Sequence, residues 1–171
     1  MELNNMATTY EPIATTTLDS ATSTITFSSI PSTYTDLVLI YTGISNSDGL
    51  PVFVRVNSDT GANYSYIYLA GNGSTVFSSG QTNRTFMRGY GTNGSNSVYP
   101  TFVNCSFLNY TSSVNKAVLI SCFDDTNGAG TYTVSSNLWR NASVINSVTI
   151  LSNGGTFNTG FTATLYGIKA A

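Results

Sequence analysis

Proton transfer and nucleophilic attack in proteins lean on histidine, and this sequence contains none. That removes Ser-His-Asp and Cys-His arrangements together with the common zinc ligand sets. Eight acidic side chains remain, of which only Asp124 and Asp125 are adjacent. A carboxylate pair could serve glycoside hydrolysis, but this one stands just before Asn127-Gly128, where it reads as the polar shoulder of a turn. The run Asp124-Asp125-Thr126-Asn127-Gly128 also has the oxygen density of a calcium loop, yet it lacks the distal bidentate Glu of an EF-hand. The expectation is a non-enzymatic chain with no catalytic residue, no metal site and no cofactor.

Other motifs lead the same way. Gly71-Asn72-Gly73-Ser74 and Gly89-Tyr90-Gly91 are glycine-rich, but neither carries the lysine of a phosphate-cradling loop or opens a helix, so both read as turns. Triplets such as Asn63-Tyr64-Ser65, Asn109-Tyr110-Thr111 and Asn141-Ala142-Ser143 are chance products of a composition rich in Asn, Ser and Thr. The aromatic residues are more informative. Tyr64, Tyr66 and Tyr68 alternate and so share one face of a strand, where they either stack on a sugar or partner, or line a half-buried sheet face. Trp139, the only tryptophan, is expected to be a core or interface anchor.

The elements that position these residues follow from period-two alternation bounded by Gly, Asn, Asp and Pro. Strands are expected at Thr22 to Ser29, Asp36 to Ile44, Val52 to Asn57, Tyr64 to Ala70, Thr82 to Gly89, Thr101 to Tyr110, Lys116 to Phe123, Thr131 to Ser136, Ile145 to Ser152 and Phe161 to Lys169. Turn signals separate them at Asn46 to Gly49, Ser58 to Ala62, Gly71 to Ser74, Gly91 to Ser97, Asn127 to Gly130 and Asn153 to Gly155. About ten strands without a linker predict an all-β fold, a two-sheet antiparallel sandwich with jelly-roll topology. A hairpin centred on Ser113 and Val114 would set Cys105 opposite Cys122 and Phe107 opposite Ile120, with the thiols free.

Composition bounds the partners. Charged residues make up only 8% of the 171 residues while hydrophobic ones make up 41%, and 11 Tyr and 9 Phe argue against disorder. With a net charge of −2 and scattered cations, no nucleic-acid partner is expected. Met1 to Tyr10 has neither a basic start nor an apolar run, so no membrane partner is expected and synthesis is placed in the cytoplasm. Met6 opens a second start-like segment, so Met1 to Asn5 is expected to be a short leader.

Four stretches together carry a resemblance: TITFSSIPSTYTDLVLIY (Thr24 to Tyr41), VRVNSDTGANYSY (Val54 to Tyr66), LAGNGST (Leu69 to Thr75) and SSNLWRNASVINSVTILSNGGTFNTGFTATLYGIK (Ser135 to Lys169). Together they resemble a β-sandwich domain that recurs in structural proteins of tailed bacteriophages, cyanophages included, at fibre tips and as a small free-standing particle protein. The most specific part is the ending, with its Leu-Trp-Arg turn, Gly-Gly turn and closing Leu-Tyr-Gly-Ile strand.

The resemblance implies a virion protein, a homotrimer, made in the host cytoplasm, whose partners are its own copies and the major capsid protein or other virion proteins. Because barely twenty residues precede the first clear strand, the sequence points to a capsid decoration, or cement, protein. The alternative is a tail-fibre or tail-tip module that recognises a host glycan. Residues 1–20 are expected to be an extended arm reaching a neighbouring subunit through Tyr10, Ile13 and Leu18, and residues 21–171 a single sandwich domain.

Overall fold

A computed structural model of the chain describes residues 9–46, 52–89, 99–152 and 154–169. The expected turn at Gly91 to Ser97, the Met1 to Asn5 leader and parts of the turns at Asn46 to Gly49 and Asn153 to Gly155 lie outside those residues. The described chain forms β1 (Tyr10–Thr17), β2 (Thr24–Phe27), β3 (Asp36–Gly43), β4 (Val52–Val56), β5 (Tyr64–Gly71), β6 (Val76–Arg84), β7 (Met87–Gly89), β8 (Thr101–Phe107), β9 (Lys116–Asp125), β10 (Gly130–Trp139), β11 (Val148–Ser152) and β12 (Thr162–Ile168). Among the described residues there is no helix, hence none long and apolar enough to cross a membrane.

Every pairing is antiparallel, in an eight-stranded sheet ordered β1-β12-β3-β8-β9-β10-β5-β6 and a four-stranded sheet ordered β2-β11-β4-β7. Without the hairpins β5–β6 and β9–β10, the remaining strands form β1-β12-β3-β8 facing β2-β11-β4-β7, which is the jelly-roll arrangement. The two hairpins pair with each other through β10 and β5 and extend the first sheet beyond the jelly roll. Alternation buries one face of the core strands: Leu37, Leu39 and Tyr41 of β3, Val103, Cys105 and Phe107 of β8, and Ala163 and Leu165 of β12 meet Ile25, Phe27, Val54, Val56, Val148 and Ile150 in one core.

Twelve strands replace the expected ten for two local reasons. Tyr10–Thr17 was expected as an arm on another subunit; it is extended, but it pairs with the chain's own β12. Pro12 is tolerated because β1 is an edge strand, and the pairing shifts register between Pro12 and Ala14, leaving Ile13 as the bulged residue. Ile13 and Leu18 pack against the core. The single strand expected at Thr82 to Gly89 is in fact the end of β6 and all of β7, in different sheets. Between them Phe86 stacks on Phe53 at 3.7 Å and Arg55 Nε donates to Thr85 O at 2.9 Å, holding the crossing.

The β8–β9 register also differs from expectation. Cys105 pairs with Ile120, and Cys122 with Val103, so the hairpin centres between Ser112 and Ser113 and the thiols sit diagonally rather than directly opposite. The loop draws the register back by two residues because Tyr110 is buried with its hydroxyl donating to Pro31 O, and Lys116 Nζ turns under the loop to donate to Ser112 O and Val114 O. A shift of two preserves the face of every side chain, so both thiols remain buried and neither is in a disulfide. Burial pushes the Cys122 thiol up to about 12 and Cys105 higher still, which keeps both protonated.

The inner face of β10 is polar, with Thr131, Thr133, Ser135 and Asn137 all buried. Asn137 and Ser135 use that position to bind the backbone of β7. Arg88 N donates to Asn137 Oδ1 at 2.9 Å, and Ser135 Oγ donates to Arg88 O at 2.8 Å. Side chains thus supply the hydrogen bonds by which the short strand β7 is fixed against the extended sheet.

Candidate functional site

The residues that sequence reasoning singled out fall in three places. Tyr64, Tyr66 and Tyr68 do share a face of β5, but it is the inner one, and Tyr64 and Tyr66 are buried. Arg88 covers the row, its guanidinium 5.7 Å from the Tyr66 ring and 5.6 Å from the Tyr68 ring, with Nη1 donating to Tyr66 Oη at 3.2 Å. Trp139 is buried in the core beside Tyr64, and its indole Nε1 donates to Asp59 Oδ2 at 2.7 Å. Tyr10 is exposed at the start of β1 and meets Tyr166 edge-on, while Ile13 and Leu18 are partly buried against the core. The structure does not bring these residues together into one site.

The acidic stretch closes the β9–β10 turn. Asp124 Oδ1 accepts from Thr131 N at 3.0 Å, Asp125 Oδ1 accepts from Gly128 N at 2.8 Å, and Asn127 and Gly128 take positive φ. Burial raises the Asp124 carboxyl above the usual carboxylate range, against the hydrogen bond from Thr131 that lowers it. Among the described residues no group of three or more His, Cys, Asp or Glu side chains could hold a metal ion. Turn closure accounts for what this pair does.

A surface that the sequence reading missed is the outer face of the sheet extension. Cross-strand pairing places Phe102, Phe123, Tyr132, Gly71 and Val76 in one row, Asn104, Ser121, Val134, Leu69 and Ser78 in the next, and Ser106, Leu119, Ser136, Ile67 and Gly80 in a third. No charge stands in any of the three rows. Ile67 is 63% exposed, Leu69 52%, Leu119 51% and Tyr132 55%, so these side chains form an open apolar surface. Contiguous exposed apolar patches on soluble proteins are often functional. At the other end of the same sheet the outer face is covered by threonines, with Thr15 bonded to Thr164 and Thr17 to Thr162 at 3.0 Å.

The signal for this surface was present in the sequence: β5 and β9 are apolar at successive positions, as in Ile67-Tyr68-Leu69 and Val118-Leu119-Ile120. A strand apolar on both faces normally reads as central and covered. Here it is central in its sheet and open on one side. Compared with protein-family models, with curated proteins and with solved structures, the chain matches none.

Proposed function

We propose that this protein is a non-enzymatic structural component of a virus particle, a capsid decoration protein that binds across neighbouring capsid subunits as a homotrimer. The observation that carries the reading is the uncharged apolar face of β9, β10 and β5, centred on Leu119, Val134, Leu69 and Ile67. Such a face suits docking against a broad protein surface, where burial of apolar area supplies the affinity. The jelly-roll sandwich and the resemblance of the Ser135 to Lys169 ending to tailed-phage structural proteins support the same reading. A surface otherwise rich in Thr, Ser and Asn suits a particle exposed outside the cell, because it is hydrated without attracting charged partners.

Leu69→Glu and Leu119→Glu test the docking face. Both side chains point outward, so each variant is expected to fold as the parent does. Burying an unpaired carboxylate in the interface should weaken binding to particles lacking the protein by at least about 3 kcal/mol, roughly a hundredfold. Co-sedimentation of the variants with particles at parental affinity would reject the face.

A further inference from the structure

We propose that the cleft between the β5–β6 turn and the β9–β10 turn binds a residue or two of a neutral glycan, with the Tyr132 ring as its stacking surface and Gly71 as its floor. Three rings form a cross-strand row: Phe102 and Phe123 stack at 5.1 Å, and Phe123 and Tyr132 at 6.5 Å, with interplanar angles of 25° and 24°. Phe123 therefore takes one side of Tyr132. On its other side the cross-strand partner is Gly71, which places no side chain against the ring.

Nothing in the fold requires that glycine. A Cβ on Gly71 would find Thr75 O at 3.9 Å and Val76 Cγ2 at 4.0 Å, which is ordinary contact, and its φ is not in the left-handed region. Gly167 contrasts with it, since a Cβ there would meet the Tyr34 ring at 2.3 Å. A β-branched residue at position 71 would favour the strand more than glycine does. What glycine preserves is the cleft, a shallow and open depression of about 390 Å³.

The rim suits hydroxyl groups. Asn72 Oδ1 accepts from Ser74 N at 3.1 Å and Thr75 N at 2.8 Å, which leaves the amide nitrogen to serve as a donor. Asp125 accepts from Gly128 N at Oδ1 and has Oδ2 as a second acceptor. An apolar ring face beside a carboxylate and an amide matches a pyranose, whose C–H face stacks while its hydroxyls bond at the edge. Among the described lining residues the only formal charges are the carboxyls of Asp124 and Asp125, which repel uronic and sialic acids. The ligand class is therefore neutral. The cleft lies at the strand ends, and its stacking ring Tyr132 belongs to the outermost row of the apolar face, so a glycan binds there where docking leaves that row uncovered.

Saturation-transfer NMR on the full chain tests this, using methyl glycosides of glucose, galactose, mannose and N-acetylglucosamine against methyl glycosides of glucuronic and sialic acid. At least one neutral glycoside should receive saturation at its C–H face at about 10 mM or below. Binding should fall at least about tenfold in Tyr132→Ala and Gly71→Val and persist in Tyr132→Phe, all at parental melting temperature. Should Gly71→Val fail to fold, the two Tyr132 variants carry the comparison. The proposal is overturned if no neutral glycoside binds, if the substitutions leave binding unchanged, or if the acidic glycosides bind equally well.

Discussion

Trp139 is the residue on which most of one sandwich end depends. Its ring is buried beside Tyr64, its Nε1 donates to Asp59 Oδ2, and Asp59 is held in turn by Asn63 Nδ2 and Gly61 N. Tyr64 closes the loop by donating its hydroxyl to Asp59 O and Val56 O. Trp139→Ala should cost about 3–5 kcal/mol in denaturant unfolding, as large buried aromatics do. For Asp59, burial raises the carboxyl, but the hydrogen bonds from Trp139, Asn63 and Gly61 outweigh it and hold the folded value below the usual range. The stabilisation from Asp59 is then fully present above the ordinary carboxylate pKa near ~4 and is lost as pH falls through the lower folded value. Asp59→Asn should flatten the acid limb of the stability profile. An unaltered acid limb would show that this node is not linked to protonation.

At the scale of the element, β1 is an integral strand of the sheet. It pairs with β12 along its length, and Ile13 and Leu18 pack against the core. Removing residues 1–18 should lower the melting temperature and leave the β12 edge open to aggregation; a truncated protein that melts like the parent would return this segment to the status of an arm. Legibility followed the same division. Strands with clear alternation, such as Ile25 and Phe27 or Val103, Cys105 and Phe107, were readable because period two marks a covered face. β1 was legible as an extended segment but not as part of its own sheet, because Pro12, a Thr run and few apolar residues do not show whose edge it pairs with. The junction between β6 and β7 escaped for a related reason: nothing in Thr82 to Gly89 marks a change of sheet, and only the Phe86–Phe53 stack and the Arg55 bond reveal it. The outer face of β5 and β9 was legible as apolar, but sequence cannot say whether a covering layer exists. Tyr64 and Tyr66 went to the inner face because Arg88 and Trp139 meet them there, a tertiary contact that alternation alone does not assign.

The whole molecule is a jelly roll widened on one side by two hairpins, and the widening creates the surface on which the functional reading rests. The outer face of the eight-stranded sheet is divided, with threonine pairs over β1 and β12 and uncharged apolar side chains over β9, β10 and β5. Only the second half gains by being covered, since apolar area removed from water contributes about 25 cal/mol per Å². A decoration role requires that face to lie against the capsid and requires hundreds of copies, whereas a receptor-binding tip needs a few to a few dozen. Electron microscopy of a particle carrying the protein measures both at once. The account predicts trimers repeated across the head lattice with Leu119, Val134, Leu69 and Ile67 against capsid subunits. A handful of copies confined to the tail, or a lattice-bound protein with that face open to solvent, would contradict it.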